Sequence, residues 1–399
     1  MPLHRNDLQR CPRSLLLTLL SLPEILTAGA DPAGRVGRVA RIVGPVFLSR
    51  AAGGEAEAAL GNWPLTSGDI LSTGAGGRAE VEVGSSLLQL DGGSVLEFVR
   101  VDDQRLVLCL RAGSVIARCR SAEVARQFAI DAGTLRFELR EAGRYRFDAG
   151  RAGVSGTAYQ GALSCSAADR CRHVRVGAGQ MLRLADDQDA DDEILAAADD
   201  EFAGWSLARE ASSGVAGELR YVSPEMTGAG DLAVHGDWYE TPAYGAVWFP
   251  RALAADWAPY RAGCWAWLEP WGWTWIGDEP WGFAPFHYGR WACFRGAWGW
   301  VPGRRVQRPV YAPALVAWSD PVAVGRAHCG IQPAAGWMPL APHATYVPSY
   351  RCSGRYRRQL NAPHVSNGNQ LREAGRHVQA TAHVLAGQRA RWPETATGR

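Results

Sequence analysis

Between Gly236 and Gly303 stand twelve of the chain's seventeen tryptophans. Indole chemistry is non-covalent: a large apolar area, a π face that can stack, and one N–H donor. The spacing is regular. Gly236-Asp237-Trp238, Gly263-Cys264-Trp265 and Gly289-Arg290-Trp291 open three units, 27 and 26 residues apart. Each opening leads to an aromatic-glycine turn: Tyr244-Gly245, Trp271-Gly272-Trp273 and Trp298-Gly299-Trp300. A fixed period of this size marks a supersecondary unit repeated in tandem. Trp271 and Trp281 fall at turn tips, where their own hairpin cannot cover them. With His287 and Tyr288 they are the candidate ligand-binding residues. The competing reading makes the tryptophans a core, because this stretch has little Leu, Ile or Val.

Bond-making chemistry has weaker candidates. His287 has no nucleophile or carboxylate at a spacing that would make it a general base. Asp278 and Glu279 are adjacent, so a strand would send them to opposite sides, which is unsuitable for a glycosidase pair. No Cys-x-x-Cys and no His pair at helical spacing is present. Nine acids between Asp186 and Glu201 lack the ordered spacing and glycine of an EF-hand loop. These residues predict no catalytic residue, no metal and no cofactor, and a non-enzymatic protein.

The elements that would hold the tryptophans are hairpins. In the second unit Pro270-Trp271-Gly272 fits a three-residue loop, with Ala243-Tyr244-Gly245 its counterpart in the first. Strand alternation then puts Trp265, Trp267, Trp273 and Trp275 on one face, and Trp238 with Trp248 on one face. In the third unit Arg295-Gly296 serves as a two-residue turn and faces Trp291 with Trp300. This geometry separates Cys264 from Cys293. The residues Tyr239–Pro250, Trp257–Gly263, Pro270–Trp275, Pro280–Trp291 and Trp298–Gly303 resemble a tryptophan-rich domain of unknown function. It is found after FecR-like domains in exported bacterial proteins.

Upstream, short apolar alternations separated by glycines run from Arg35 to Leu184. Val36–Phe47, Ala79–Val83, Ser86–Leu90, Leu106–Arg111, Ser114–Arg120, Thr134–Arg140 and Arg144–Phe147 read as strands. The class is all-β, as a sandwich, barrel or short β-solenoid. Within it, Pro64-Leu65-Thr66-Ser67-Gly68-Asp69-Ile70-Leu71-Ser72-Thr73-Gly74, then Gly77–Val81, Leu87–Leu90 and Ser94–Glu97, resemble the FecR domain. Leu106–Val115 and Gly177–Gln180 match its later strands. The resemblance implies an exported β-module that contacts proteins or envelope material. Iron-responsive sigma-factor control, as in the iron-citrate regulator, would need a cytoplasmic part and a membrane span, and neither precedes the β-module here.

Five segments result: a signal peptide at 1–30, a FecR-like β-domain at 31–185, an acidic linker with a short helix at 186–220, a Trp-rich tandem-hairpin domain at 221–303, and a Pro- and Arg-rich, partly disordered tail at 304–399. The leader has Arg5, Arg10 and Arg13 ahead of an apolar run, then Ala28-Gly29-Ala30 at a cleavage position. Export makes the chain periplasmic or extracellular, with no transmembrane segment after cleavage. Asp199 or Asp200 caps a helix at 201–210 that turns Phe202 and Trp205 inward.

Net charge is +2 with no lysine. Thirteen arginines against three acids give 304–399 a surplus of ten, leaving −8 for the rest. Such a tail suits nucleic acid chemically, but export argues against that partner. An envelope protein or an anionic envelope polymer is the expected one. Removing Cys11 with the leader leaves eight cysteines, and export permits disulfides. Cys165 with Cys171, and Cys329 with Cys352, are the candidate pairs. The functional expectation is an envelope interaction or scaffold protein. Its alternatives are a carbohydrate-binding module using exposed tryptophan and a FecR-type component of iron-responsive signalling.

Overall fold

The computed structural model describes residues 31–50, 54–151, 153–167, 173–184, 193–212, 219–254, 256–319 and 336–365. The leader at 1–30 lies outside them. Strands account for 47% of the structure and helices for 11%, so the protein is all-β. The chain divides into two compact units. One is drawn from Arg35–Gly217 and Pro224–Gly230, the other from Glu24–Gly34, Glu218–Ser223 and Asp231–Arg399.

The first unit is built from two open sheets that share one strand, Leu106–Cys119. Its second half pairs with Ser86–Leu90 on one side and Gly143–Gly150 on the other. Its first half pairs with Val95–Val101 and, in parallel, with Phe128–Ala132. Two separate strands were expected here, broken at Gly113. The break is instead a corner at which one strand passes between sheets. Gly113 takes φ +86°, and a Cβ there would fall 2.4 Å from the Cα of Ser94, so the corner requires glycine. Val81, Leu88, Val115 and Phe147 from one sheet meet Leu71, Leu108, Ile130 and Phe137 from the other in one core. Of the three expected architectures, two open sheets over a common core is the sandwich.

The acidic linker needs correction. Residues 186–192 lie outside the described structure, but Glu193–Ala196 is a strand paired with Gln180–Leu184. The acids hid this short strand. The helix that follows, Glu201–Ser212, starts as expected: the Asp200 carboxylate accepts from the Ala203 N–H at 2.8 Å. Phe202 is buried and stacks on Trp205 at 6.0 Å. From the helix, Arg209 pairs with Glu80, whose Oε1 also accepts from Gln89 at 3.0 Å.

The second unit contains the three expected hairpins, but they do not stack in sequence. Gly236–Thr241 and Gly245–Pro250 form the first, Arg290–Phe294 and Ala297–Val301 the third. These two join in one four-stranded sheet through Trp248 opposite Trp300. The middle hairpin, Gly263–Leu268 with Gly272–Gly277, forms a separate two-stranded sheet. The predicted third register is observed: Trp291 faces Trp300, and Arg295 and Gly296 turn with φ +51° and +92°. The other two loops sit one residue earlier than expected. Thr241 closes on Gly245 and Leu268 on Gly272, so each glycine of positive φ is the first strand residue instead of the last loop residue.

Part of the expected tail, 304–319 and 336–365, is structured. Val316–Ser319 pairs with Gly336–Pro339, and Gly354–Asn361 is a helix capped by the Ser353 hydroxyl. Residues 320–335 and 366–399 lie outside the described structure. The sequence carries little signal for this helix, because arginines dominate it and its inward apolar residues, Tyr356 and Leu360, are only two at i, i+4 spacing. Both join Ala312, Leu315, Leu340 and Tyr346 in a small core.

Candidate functional site

Every hairpin of the repeat carries a directly opposed pair of tryptophans: Trp238 with Trp248, Trp265 with Trp275, Trp291 with Trp300. The opening glycine of each unit supplies the space. A Cβ on Gly236 would stand 2.2 Å from Trp248, one on Gly263 2.7 Å from Trp275, and one on Gly289 2.3 Å from Trp300. Two of these indoles also satisfy their N–H on backbone, Trp248 on Leu232 at 2.8 Å and Trp300 on Tyr288 at 2.9 Å. The period of 26 to 27 residues is therefore a packing rule: a glycine receives an indole from the returning strand.

The four candidate ligand-binding residues fall inside this packing. Trp271 is 1% exposed, Trp281 3%, His287 0% and Tyr288 5%. Trp271 leaves its turn and packs edge-on against Tyr311 at 5.2 Å. Trp281 is enclosed by Trp248 at 5.1 Å, Trp257 at 5.6 Å and Phe286 at 5.9 Å. As accessible binding residues both are corrected. A turn-tip residue cannot be covered by its own hairpin, but Tyr311 and Trp257 reach it from other segments. His287 lies between Phe283 at 4.5 Å and Tyr311 at 4.7 Å, with Nδ1 2.8 Å from the Ala312 carbonyl. Burial pushes its pKa down to about 3, so it is neutral at neutral pH. Tyr288 contributes its carbonyl to Trp300. Three of the four, Trp271, His287 and Tyr288, thus converge on Tyr311, as core.

The other chemically interesting groups are similarly engaged. Glu279 accepts from the indole of Trp257 at 2.8 Å, and burial raises its pKa. Arg290 is buried, with its guanidinium donating to the carbonyls of Gly289 and Ala344 and to Oδ1 of Asn361. Desolvation lowers its pKa to about 10, still a cation at neutral pH. Among the described residues, no group of three or more His, Cys, Asp or Glu could hold a metal ion.

The cysteine pairs are also corrected. Cys165 and Cys352 are thiols. Cys165 belongs to the sandwich core, in register with Phe137, and Cys352 packs against the small core around Tyr356. Their expected partners, Cys171 and Cys329, lie outside the described residues. Among the described residues, Cys109 and Cys264 are half-cystines. Cys293 is an exposed thiol, so it is not joined to Cys264.

One tryptophan among the described residues is exposed, and it was not singled out: Trp267, at 42%. Its six-membered ring lies over Gly272, 3.3 to 3.7 Å from where a Cβ would be. Its Nε1 donates to Glu269 at 3.1 Å, and Trp273 stands perpendicular to it at 5.6 Å. The signal was available. Trp267 and Trp273 are the same-face pair nearest the turn, where a two-stranded sheet has least to cover it.

The family described as a family of unknown function (DUF6600) matches residues 229–344. No curated protein matches the chain. Two solved structures with detectable similarity are both described as a candidate anti-sigma factor from Parabacteroides distasonis. One has a TM-score of 0.30 and 9% identity, covering 34% of this chain and 64% of the other. The second has a TM-score of 0.28 and 10% identity, covering 32% and 59%. The chain spans less than two thirds of either.

Proposed function

We propose that this chain is an exported, non-enzymatic interaction or scaffold protein of the cell envelope, with its second unit as the contact module. The observation that carries this reading is the contrast within the aromatic repeat. The side chains with catalytic potential are engaged, His287 fully buried against the Ala312 carbonyl and Glu279 half-buried and bonded to the Trp257 indole, whereas Trp267 is packed over Gly272 and remains exposed. An imidazole that is fully buried between two aromatic rings is out of reach of a substrate. An exposed indole fixed on three sides presents apolar area at little entropic cost. Export rests on the leader pattern at 1–30, and the FecR resemblance of the first unit agrees with an envelope setting. Neither supports sigma-factor control by this chain alone.

A photo-crosslinking residue at position 267 in living cells tests the reading. Expected is a discrete adduct with one envelope component, absent when the same residue replaces Tyr239, which is 57% exposed in the same unit. No adduct from position 267, in protein shown to be exported, refutes it. An alkaline-phosphatase fusion after residue 365 checks export independently, since that enzyme becomes active only outside the cytoplasm.

A further inference from the structure

The outer face of the helix Gly354–Asn361 carries charge of one sign. The described residues 280–319 and 336–365 contain no Asp or Glu. Arg351, just ahead of the helix, and Arg355 and Arg358, on it, are exposed. Arg355 and Arg358 are three residues apart and so neighbours on one face. The Arg358 guanidinium turns back toward the first turn, its Nη1 3.7 Å from where a Cβ of Gly354 would stand. Among the described residues none of these three arginines forms an ion pair. Asp31 lies at this end of the helix, and its carboxylate is engaged by the Ser353 N–H at 2.5 Å and the Ser353 hydroxyl at 2.7 Å. Exposed arginines of the first unit differ: Arg136 keeps Asp131 at 3.3 Å and Arg140 keeps Glu138 at 3.1 Å. Like charges side by side on a helix destabilise it, so the fold gains nothing from this cluster. The helix is nevertheless fixed, capped by Ser353 and anchored in the small core by Tyr356 and Leu360.

We infer that Arg351, Arg355 and Arg358 form a docking surface for a linear phosphate polymer. The surface is separate from the contact assigned to Trp267 and does not depend on it. Each guanidinium offers a planar fork of N–H donors that grips a pair of anionic oxygens. A tetrahedral phosphate presents its oxygens in several directions, so arginines on successive turns can hold it from different sides. A carboxylate has two oxygens in one plane, which a single fork already fills. A polymer repeats the group, so contacts that are weak singly combine on one chain. An anionic membrane ranks second. Tyr356 and Leu360 point to the core, and the exposed residues of the helix, Gly354, Arg355, Arg358 and Gln359, include no apolar side chain to bury among lipid chains. The anionic partner expected for the Arg-rich tail thus falls to a structured helix.

Fluorescence anisotropy of end-labelled inorganic polyphosphate with the purified full chain provides the test. Unlabelled polyphosphate, polygalacturonate and phosphatidylglycerol vesicles serve as competitors. Polyphosphate should bind, and three charge contacts give a slope of log affinity on log salt of about −2, so a fourfold rise in salt should weaken binding about twentyfold. Arg355→Gln combined with Arg358→Gln should weaken binding about tenfold or more and bring the slope to about −0.7. Lysine at the same two positions keeps the charge and loses the fork, so it should preserve the slope and cost less affinity than glutamine. Arg295→Gln, at the turn of the third hairpin, should leave binding unchanged. The replaced arginines have no partner in the fold, so unfolding curves of the variants should superimpose on the parent's. The inference is overturned if polyphosphate fails to bind at low salt, or if the double glutamine variant binds as well as the parent. It is equally overturned if Arg295→Gln weakens binding as much, which would make net charge the cause. Polygalacturonate or vesicles competing better than unlabelled polyphosphate overturns the phosphate polymer as ligand. The adduct from position 267 is a separate measurement, so either reading can fail while the other stands.

Discussion

Replacing Gly236 by alanine tests the packing rule of the repeat most directly. Gly236 lies outside the left-handed region, so alanine fits its backbone and any cost is steric. The new methyl would stand 2.2 Å from Cε2 and 2.4 Å from Nε1 of Trp248. Ordinary carbon contacts begin near 3.5 Å, so the indole must retreat by about 1 Å or more. Trp248 is fully buried and its N–H is bonded to Leu232 at 2.8 Å. Overpacking of this kind costs about 1–3 kcal/mol, and loss of the buried hydrogen bond adds about 1 kcal/mol. The expected loss is therefore about 2–4 kcal/mol. Gly245→Ala is the matched control: its φ of +67° is unfavourable for alanine, but nothing lies within 4 Å of its Cβ position. It should cost about 1–2 kcal/mol. Urea unfolding followed by tryptophan fluorescence is the assay, since fifteen of the seventeen tryptophans belong to the second unit and report its transition. Adding Trp248→Phe to Gly236→Ala should cost less than the two single losses summed, because the smaller ring relieves the clash. If Gly236→Ala costs no more than Gly245→Ala, the glycine–indole contact is not what the repeat encodes.

Trp271→Ala should destabilise the second unit by about 3–5 kcal/mol in the same assay, the cost of emptying a buried aromatic site. Asn361→Ala should cost about 2–4 kcal/mol, because Asn361 bonds Arg290, the Tyr346 backbone N–H and carbonyl, and the Arg357 carbonyl, and its loss takes one of three acceptors from the buried cation. Burial raises the pKa of Asp69 from 3.8 to about 6 against the bond it accepts from the Thr66 N–H. The folded state then holds the proton more tightly than the unfolded one, so this stabilisation is complete below about pH 4 and lost as pH rises through 6. The gap is worth about 3 kcal/mol at most, and Asp69→Asn, which keeps the acceptor, should abolish that part of the pH dependence of urea midpoints. Thiol labelling of the native chain should modify Cys293 rapidly and the buried Cys119 and Cys165 only on unfolding, read by mass spectrometry of the peptides.

The all-β class, the capped helix after the acidic run, the three hairpins and the third hairpin's register were legible in the chain because they depend on local periods. Two-residue alternation, glycine at turns and an aspartate ahead of a helix act over fewer than ten residues. What depends on distant partners was not legible. Loop registers in the first two hairpins moved by one residue where glycine's freedom permitted either choice. Gly113 reads as a gap between strands, yet it marks a corner between two sheets, because only the neighbouring Ser94 shows how closely another backbone approaches. The arginine-rich end looked solvated, yet Tyr356, Leu360 and Asn361 anchor a helix there. Above all, the sequence alone determined that tryptophans would share a face, while tertiary structure decided which of them water can reach. Tyr311 and Trp257 cover the turn tips from other segments, and nothing described covers Trp267. Burial of a large ring depends on what else arrives at it, and that information lies in the fold.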